Sequence, residues 1–130
     1  MSEPLRRGEE GQATVELALT LPVVAALLLA VAQMGLILRD HLLVVHAARA
    51  GVREAVVDAR PGSVRAAALA ASPALKPGGL RAETRHIRGS PDMVTVVVTY
   101  QSTTAVPLVG PLLPDVRLSA KASLQDETDT

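Results

Sequence analysis

The chain is 130 residues long, with no cysteine, a formal net charge of zero and a single tyrosine as its only aromatic residue. The lack of cysteine excludes a disulfide framework, a thiolate metal site and a cysteine nucleophile. A nucleic-acid-binding protein needs a basic surface and usually stacking aromatic rings, so this composition also argues against nucleic acid as a partner.

Residues 1–11 form a polar leader in which charged residues recur. Nothing in this segment provides an apolar face for burial, so the sequence predicts that the leader is flexible. A helix is expected to begin between Gln12 and Glu16, with Thr14 as a candidate cap.

An apolar run without any formally charged residue extends from Leu17 to Leu38. At a rise of 1.5 Å per residue, this run of about 22 residues makes a helix of roughly 33 Å, long enough to cross the hydrocarbon core of a membrane. Residues 12–38 are therefore predicted to be a transmembrane helix. Glu16 lies at the entrance of the run, where an ionisable group is costly and suggests a functional role.

Pro22 and Gly35 are two residues of the apolar run with specific effects on a helix. Proline at position 22 leaves the carbonyl of Ala18 without its usual donor, so a kink or loosened turn is expected there. Gly35 and the nearby alanines present a low surface on which another helix could pack.

Helical spacing continues beyond the apolar run, where apolar residues alternate with charged ones. Residues 39–60 are predicted to be an amphipathic continuation, so that one helix covers roughly Ala13 to Ala59 and packs its second half on a folded domain. The Pro61-Gly62 pair is expected to end this helix, and Ser63 to cap a short helix that closes at Ala71.

Alternating polarity in the last third of the chain predicts a small antiparallel sheet. The expected elements are a strand from Leu80 to Arg88, a turn over Gly89–Asp92, a strand from Met93 to Thr103, a proline-rich loop over Pro107–Pro114 and a strand from Val116 to Leu124.

The predicted fold class is α+β, a long amino-terminal helix followed by a small antiparallel sheet of about three strands. Residues 61–124 are expected to form the small α+β domain. The acidic residues 125–130 are expected to be a disordered tail.

The sequence contains no pattern that predicts catalysis or metal binding. His41 and His46 are five residues apart and so about 140° from a common helix face, whereas ligand pairs favour spacings of three or four. The serines lie outside any nucleophile-elbow pattern, and there is no glycine-rich phosphate loop. We therefore expect no enzymatic activity, metal, cofactor or small-molecule substrate.

The spacing from Gly11 to Glu16 is the processing pattern of prepilins, in which a short polar leader ends in glycine and glutamate follows five residues later. The stretch from Gly11 to Pro22, joined to the alanine-, arginine- and glycine-containing segment Ala47–Ala55, resembles the TadE-like family of tight-adherence (Tad) pilus assembly proteins. The resemblance covers residues 8–56 and does not include the sheet.

This resemblance implies a pilin-like fold and a precursor that a prepilin peptidase cleaves between Gly11 and Gln12. In pilin-like proteins the glutamate that matches Glu16 pairs with the free amine of a neighbouring subunit during assembly. Leu17 stands where the major pilins have tyrosine, and the chain has a sizeable carboxyl-terminal domain. Both departures favour a minor pilin or pseudopilin over the main filament subunit. The implied partners are other pilin-like subunits, the Tad pilus assembly machinery, the peptidase and the lipid bilayer.

The orientation of the span is not set by charge, because Arg6 and Arg7 precede it while Arg39, Arg49 and Arg53 follow it. Charge alone would even allow the carboxyl-terminal side to be cytoplasmic. The amino-terminal segment is short and has the form of a removable leader, and both features favour the opposite orientation. They predict a single-pass membrane protein whose carboxyl-terminal domain is extracytoplasmic and could enter a surface pilus.

A second processing site is compatible with the sequence. Ala30-Val31-Ala32 before Gln33 fits the small-residue rule of ordinary signal peptidase, with Leu17–Leu29 as the apolar core. Cleavage after Ala32 would give a secreted or signal-anchored adhesive module unrelated to pili. A membrane-tethered enzyme or ligand-binding domain is a further alternative, but it would need a convergent polar pocket that the sequence does not predict.

Overall fold

A computed structural model of the chain describes residues 6–89, 91–103 and 114–125, with side-chain surroundings from residue 11 onward. The long amino-terminal helix and the three-stranded antiparallel sheet confirm the predicted α+β class. The elements are α1 (Arg6–Val57), α2 (Pro61–Ala71), a 3-10 turn (Pro77–Gly79), β1 (Leu80–Ile87), β2 (Met93–Ser102) and β3 (Val116–Gln125).

The first helix begins earlier than the sequence predicts. α1 starts at Arg6, so the expected start between Gln12 and Glu16 is wrong, and Thr14 lies inside the helix instead of capping it. Arginine, glutamate and glutamine have high helix propensities, and a helix nucleated in the apolar run gains one hydrogen bond with each residue added. The boundary at Gly11 therefore remains a prediction about peptide cleavage, not about secondary structure.

Pro22 does not interrupt α1, which is continuous across it. The hydroxyl of Thr20 donates to the main-chain carbonyl of Glu16 at 3.0 Å and to that of Leu17 at 3.2 Å. Such bonds from a threonine to the preceding turn often bend a helix slightly. The predicted kink thus causes no break in the helix, and its angle stays a prediction.

The junction between α1 and α2 also differs from the sequence prediction. α1 ends at Val57, and Pro61 begins α2 instead of ending α1. Ser63 is not the cap, because it lies inside α2 and Arg60 occupies the cap position without a side-chain capping bond. Proline suits the first helical position because it has no amide hydrogen to satisfy and its φ is already helical.

The carboxylate of Asp58 organises this junction. It accepts hydrogen bonds from the main-chain amide of Arg60 at 3.1 Å and from Ser63 Oγ at 2.7 Å. The Arg60 guanidinium donates to the same carboxylate through Nε at 2.9 Å and Nη2 at 2.6 Å. These bonds, above all those from the Arg60 side chain, hold the pKa of the Asp58 carboxyl well below its usual range.

The three strands form one antiparallel sheet in chain order, β1-β2-β3. The predicted strands begin at the correct residues and end within one residue of the observed carboxyl ends. In the observed register, Tyr100 of the central strand β2 pairs with Leu80 of β1 and with Leu118 of β3. Gln125 belongs to β3, so the prediction that the disordered tail begins there is wrong. Residues 126–130, and the predicted loop before Pro114, lie outside the described residues.

The inner face of the sheet packs against the second half of α1, in agreement with its amphipathic pattern. Val94, Val96 and Val98 of β2 are each at most 1% exposed. A Cβ added to Gly51 of α1 would lie 3.2 Å from Val96 Cγ1, so a glycine permits this close approach of helix and strand. The buried residues of α1 in this core are Val44, Ala47, Ala48, Val52 and Ala55.

Candidate functional site

The first half of α1 projects away from the sheet with its apolar side chains exposed. Within Gly11–Val57 an 18-residue window has a mean hydropathy of 2.4 and only 6% of it is buried. A helix of this length and composition, with apolar residues on all sides, can cross a membrane. The large exposed side chains are Val15, Leu17, Leu19, Leu21, Val23, Val24, Leu27, Leu28, Val31, Met34, Leu36 and Leu38.

Glu16 lies on this exposed half, between the apolar side chains of Val15 and Leu17. Among the described residues no cation forms an ion pair with its carboxylate. Its main-chain carbonyl accepts the hydroxyl of Thr20, one turn further along the helix. The carboxylate is thus available to a cation from outside the chain.

The predicted processing residues and the predicted packing glycine are all accessible. Gly11 and Gln12 are exposed on α1, five and four residues before Glu16. A Cβ added to Gly11 or to Gly35 would meet no described atom within 4 Å. The low surface at Gly35 is therefore open, and helix packing there stays a prediction.

Two hydrogen bonds that sequence reasoning missed attach the sheet domain to α1 just beyond Leu38. Ser102 Oγ at the end of β2 donates to the Asp40 carboxylate at 2.6 Å. Ser72 Oγ after α2 donates to the main-chain carbonyl of Leu43 at 2.9 Å. Both bonds join residues far apart in sequence, so no local spacing in the chain could have indicated them.

Gln33 is a second residue whose setting was missed. Only 6% of its surface is exposed, although its neighbours along the apolar run are exposed, and its Oε1 has no hydrogen-bond partner among the described residues. Its spacing to Ile37 and Asp40 is that of one helix face. This face continues into the buried part of α1. The helical spacing of Gln33 with the buried face was therefore the sequence signal that could have predicted its burial.

The histidines do not come together. His41 and His46 are exposed on α1, and His86 is exposed on β1. Within residues 6–89, 91–103 and 114–125, no three histidine or carboxylate side chains are placed to hold a metal ion. Arg49 and Arg53 are exposed on α1.

Comparison with known proteins agrees with the geometry of α1. Residues 11–53 match the protein family described as TadE-like protein. The chain carries a TadE-like helix. The match confirms the resemblance seen in the sequence. Neither curated proteins nor solved structures gave a match to the chain.

The TadE-like segment begins at Gly11 and contains Glu16, Pro22 and Gly35 as well as the part of α1 that packs on the sheet. The match covers about a third of the chain, and the helix that contains it is long and apolar enough to cross a membrane. The sheet that follows lies outside the matched residues.

Proposed function

We propose that this chain is a minor pilin or pseudopilin that takes part in the assembly of a tight-adherence type IV pilus. The family match over residues 11–53 supports the pilus association. The observation that carries the finer role is Glu16, an exposed carboxylate in an apolar helix, five residues after Gly11. A charge in that position is explained if a cation reaches it in the assembled state.

Processing supplies such a cation. Cleavage between Gly11 and Gln12 leaves a free amine on Gln12, four residues and so about 6 Å along the helix axis from Glu16. A parallel neighbouring helix displaced by one turn brings its own amine level with this carboxylate. The exposed, unobstructed surroundings of Gly11 and Gln12 support access by a prepilin peptidase.

The energetics favour pairing between subunits. An isolated carboxylate is costly in lipid, and the penalty falls when a cation lies close to it. Two unit charges 4 Å apart attract by about 4 kcal/mol at an effective dielectric constant of 20. That attraction draws a subunit with a free amine next to one that carries Glu16.

The sheet domain would sit outside the cytoplasm and contact neighbouring subunits. Its bonds to Asp40 and to the Leu43 carbonyl anchor it to α1 directly beyond the apolar run. A pull on the membrane helix is therefore transmitted to the domain without an intervening flexible linker. This attachment suits a subunit that an assembly machine extracts from the membrane as one body.

The mature amino terminus tests the processing step. The protein is extracted from membranes of the cells that make it, and its first residue is identified by mass spectrometry. We expect Gln12. A protein that begins at Gln33 would instead support the secreted or signal-anchored adhesive module, and an intact Met1 would contradict cleavage.

Piliation tests the role of Glu16. We expect Glu16→Ala to be cleaved and inserted normally but to reduce the number of surface pili, whereas Glu16→Asp, which keeps the charge, restores them. Glu83→Gln is the matched control, because Glu83 is an exposed carboxylate on the sheet, 3.9 Å from Arg85. Normal piliation with Glu16→Ala would overturn the proposed role.

A further inference from the structure

The carboxyl end of β2 lies close to the level at which the apolar run of α1 stops. Gly51 of α1 faces Val96, and Asp40 accepts the hydrogen bond from Ser102. Between these two contacts α1 rises roughly 16 Å and β2 extends roughly 20 Å, so the strand runs back along the helix toward the apolar run. Asp40 lies roughly 3 Å beyond Leu38 along the helix axis. For a helix that crosses the bilayer, the carboxyl end of β2 is therefore level with the membrane surface.

A hollow with a volume of about 290 Å³ lies on the outer face of the sheet at this end. Gly78 and Gly79 form its rim, and a Cβ added to Gly79 would lie 3.3 Å from the main-chain oxygen of Gln101. A Cβ added to Gly78 would meet no described atom within 4 Å, so this rim is low and open. The strand residues that line the hollow are Arg81, Glu83, Thr99, Gln101 and Arg117.

Strand pairing places two arginines on opposite sides of the hollow. Arg81 of β1 pairs with Thr99, and Arg117 of β3 pairs with Gln101. Arg117 is therefore level with the carboxyl end of β2, whereas Arg81 is roughly 7 Å farther from it along the strand. Polar head groups extend roughly 5 to 7 Å beyond the hydrocarbon core on each side of a bilayer. Arg117 is thus at the level of the head groups, and the long side chain of Arg81 can extend down to them.

Four exposed cations that form no ion pair among the described residues lie at this end of the domain. Two of them are the arginines of the hollow. Arg39 directly follows the apolar run, and Lys76 is held close by because its main-chain amide donates to the Tyr100 hydroxyl at 3.4 Å. Basic residues beside the end of a spanning helix are attracted to anionic lipids.

Two carboxylates of the sheet close to the hollow already have partners. The Gln101 amide donates to the Asp115 carboxylate at 3.3 Å, and the Glu83 carboxylate lies 3.9 Å from the Arg85 guanidinium. An anion that enters the hollow therefore meets two guanidinium groups and the Thr99 hydroxyl. Guanidinium groups bind phosphate oxygens through charge-assisted and often bidentate hydrogen bonds.

We propose that this hollow binds the phosphate of an anionic phospholipid in the membrane that α1 crosses. Arg81 and Arg117 pair with the phosphate oxygens, and the Thr99 hydroxyl donates to one of them. A lipid is favoured over phosphate from solution because the hollow lies at the level where lipid phosphates are concentrated. The bound lipid orients the sheet domain on the membrane surface. The proposal rests on the membrane span, and it is independent of leader cleavage and of pilus assembly.

Lipid selectivity at the hollow tests the proposal. The natural chain has no cysteine, so a fluorophore can be attached at Ser119→Cys alone, an exposed position that pairs with Thr99. The full chain is placed in phosphatidylcholine nanodiscs with a small, equal share of spin-labelled phosphatidylglycerol or spin-labelled phosphatidylcholine. Fluorescence quenching by the two spin-labelled lipids gives their relative association with the hollow.

We expect phosphatidylglycerol to be preferred about thirtyfold, because each of the two arginines at an anionic surface contributes about fivefold. Arg81→Gln with Arg117→Gln should abolish this preference. Arg53→Gln with Arg88→Gln is the control, because it removes the same charge from exposed positions away from the hollow, and it should keep the preference. Thermal unfolding should be the same in both variants, since all four arginines are exposed.

Equal quenching by the two lipids would overturn the proposal, and so would a preference that survives Arg81→Gln with Arg117→Gln. Excess inorganic phosphate should leave the preference intact. Loss of the preference in phosphate but not in chloride of equal ionic strength would assign the hollow to soluble phosphate and overturn the lipid. Quenching by neither lipid would overturn both the site and the span on which it rests. Leader cleavage and piliation are measured separately, so a failure here is distinguishable from a failure of the proposed pilus role.

Discussion

Ser102 donates a 2.6 Å hydrogen bond to Asp40 and so joins the end of β2 to α1 two residues beyond Leu38. Ser102 is only 5% exposed, and Asp40 is half-buried. The Asp40 carboxylate is partly removed from water, and the Ser102 hydroxyl supplies it with a hydrogen-bond donor. This contact lies at the end of the sheet nearest to the apolar half of α1. The bond fixes the end of β2 to α1 within the part of the helix that packs on the domain, which also includes the half-buried Ile37.

Loss of this bond should destabilise the domain. Ser102→Ala is expected to lower the free energy of unfolding by about 2 kcal/mol, because it leaves the half-buried Asp40 carboxylate without its donor. Denaturant unfolding of the full chain in detergent measures the change. Thr103→Ala, at the exposed neighbouring position, is the control, and an equal loss in both variants would show that the bond contributes nothing.

Gly51 and Gly35 should respond in opposite ways to a large side chain. Gly51→Leu is expected to destabilise the domain by about 2 kcal/mol or more, because the new Cβ lies 3.2 Å from Val96 Cγ1 and 3.4 Å from Val64 Cγ1. Gly35→Leu should leave domain stability unchanged, since nothing described lies within 4 Å of its Cβ. Thermal unfolding of both variants tests the difference. A stable Gly51→Leu domain would contradict the close approach of α1 and β2.

Asp58 should make the stability of the junction depend on acid. Because the pKa of its carboxyl is lowered in the folded state, ionised Asp58 stabilises the fold above the unfolded pKa of about 3.9, and this contribution is lost as the pH falls below it. Asp58→Ala should therefore lower the Tm at neutral pH, and the difference from the natural chain should shrink below about pH 4. Glu83→Gln is the control. A difference that does not change with pH would contradict this electrostatic role.

The two faces of β2 should tolerate truncation differently. Val96→Ala is expected to lower the free energy of unfolding by about 2 kcal/mol, because Val96 is 0% exposed and its loss leaves a cavity against α1. Val97→Ala, at the half-buried next position on the outer face, should have a much smaller effect. Denaturant unfolding compares them directly, and equal losses would show that the inner face does not carry the core.

The candidate site at the start of α1 could be read from the sequence because its features follow one another along a single helix. Gly11, Glu16 and Pro22 are related by spacing alone, and the family match covers all three. The start of α1 at Arg6 could not be read in the same way, because a polar segment gives no burial signal whether or not it is helical. Whether such a polar segment is helical depends on the adjoining apolar helix, from which the helix can extend.

The strands were predictable for a similar reason, since alternation along β2 and β3 reports which side chains face the helix. The cap of α2 was assigned to Ser63 from its residue type, whereas Asp58 holds that junction from outside the helix. A serine can cap a helix, so its residue type shows only that Ser63 is able to do so. The group that Ser63 actually bonds, the Asp58 carboxylate, is set by the path of the chain between α1 and α2.

Local pattern in the sequence thus determined the membrane-length helix, the carboxylate at its entrance and the order of the strands, because each arises from neighbours a few residues apart. Only the tertiary structure decided that Ser102 meets Asp40, that Gly51 admits Val96, and that two arginines line one hollow on the outer face of the sheet. Those contacts join segments tens of residues apart. Their geometry is set by packing of the core, and no one-dimensional spacing encodes it.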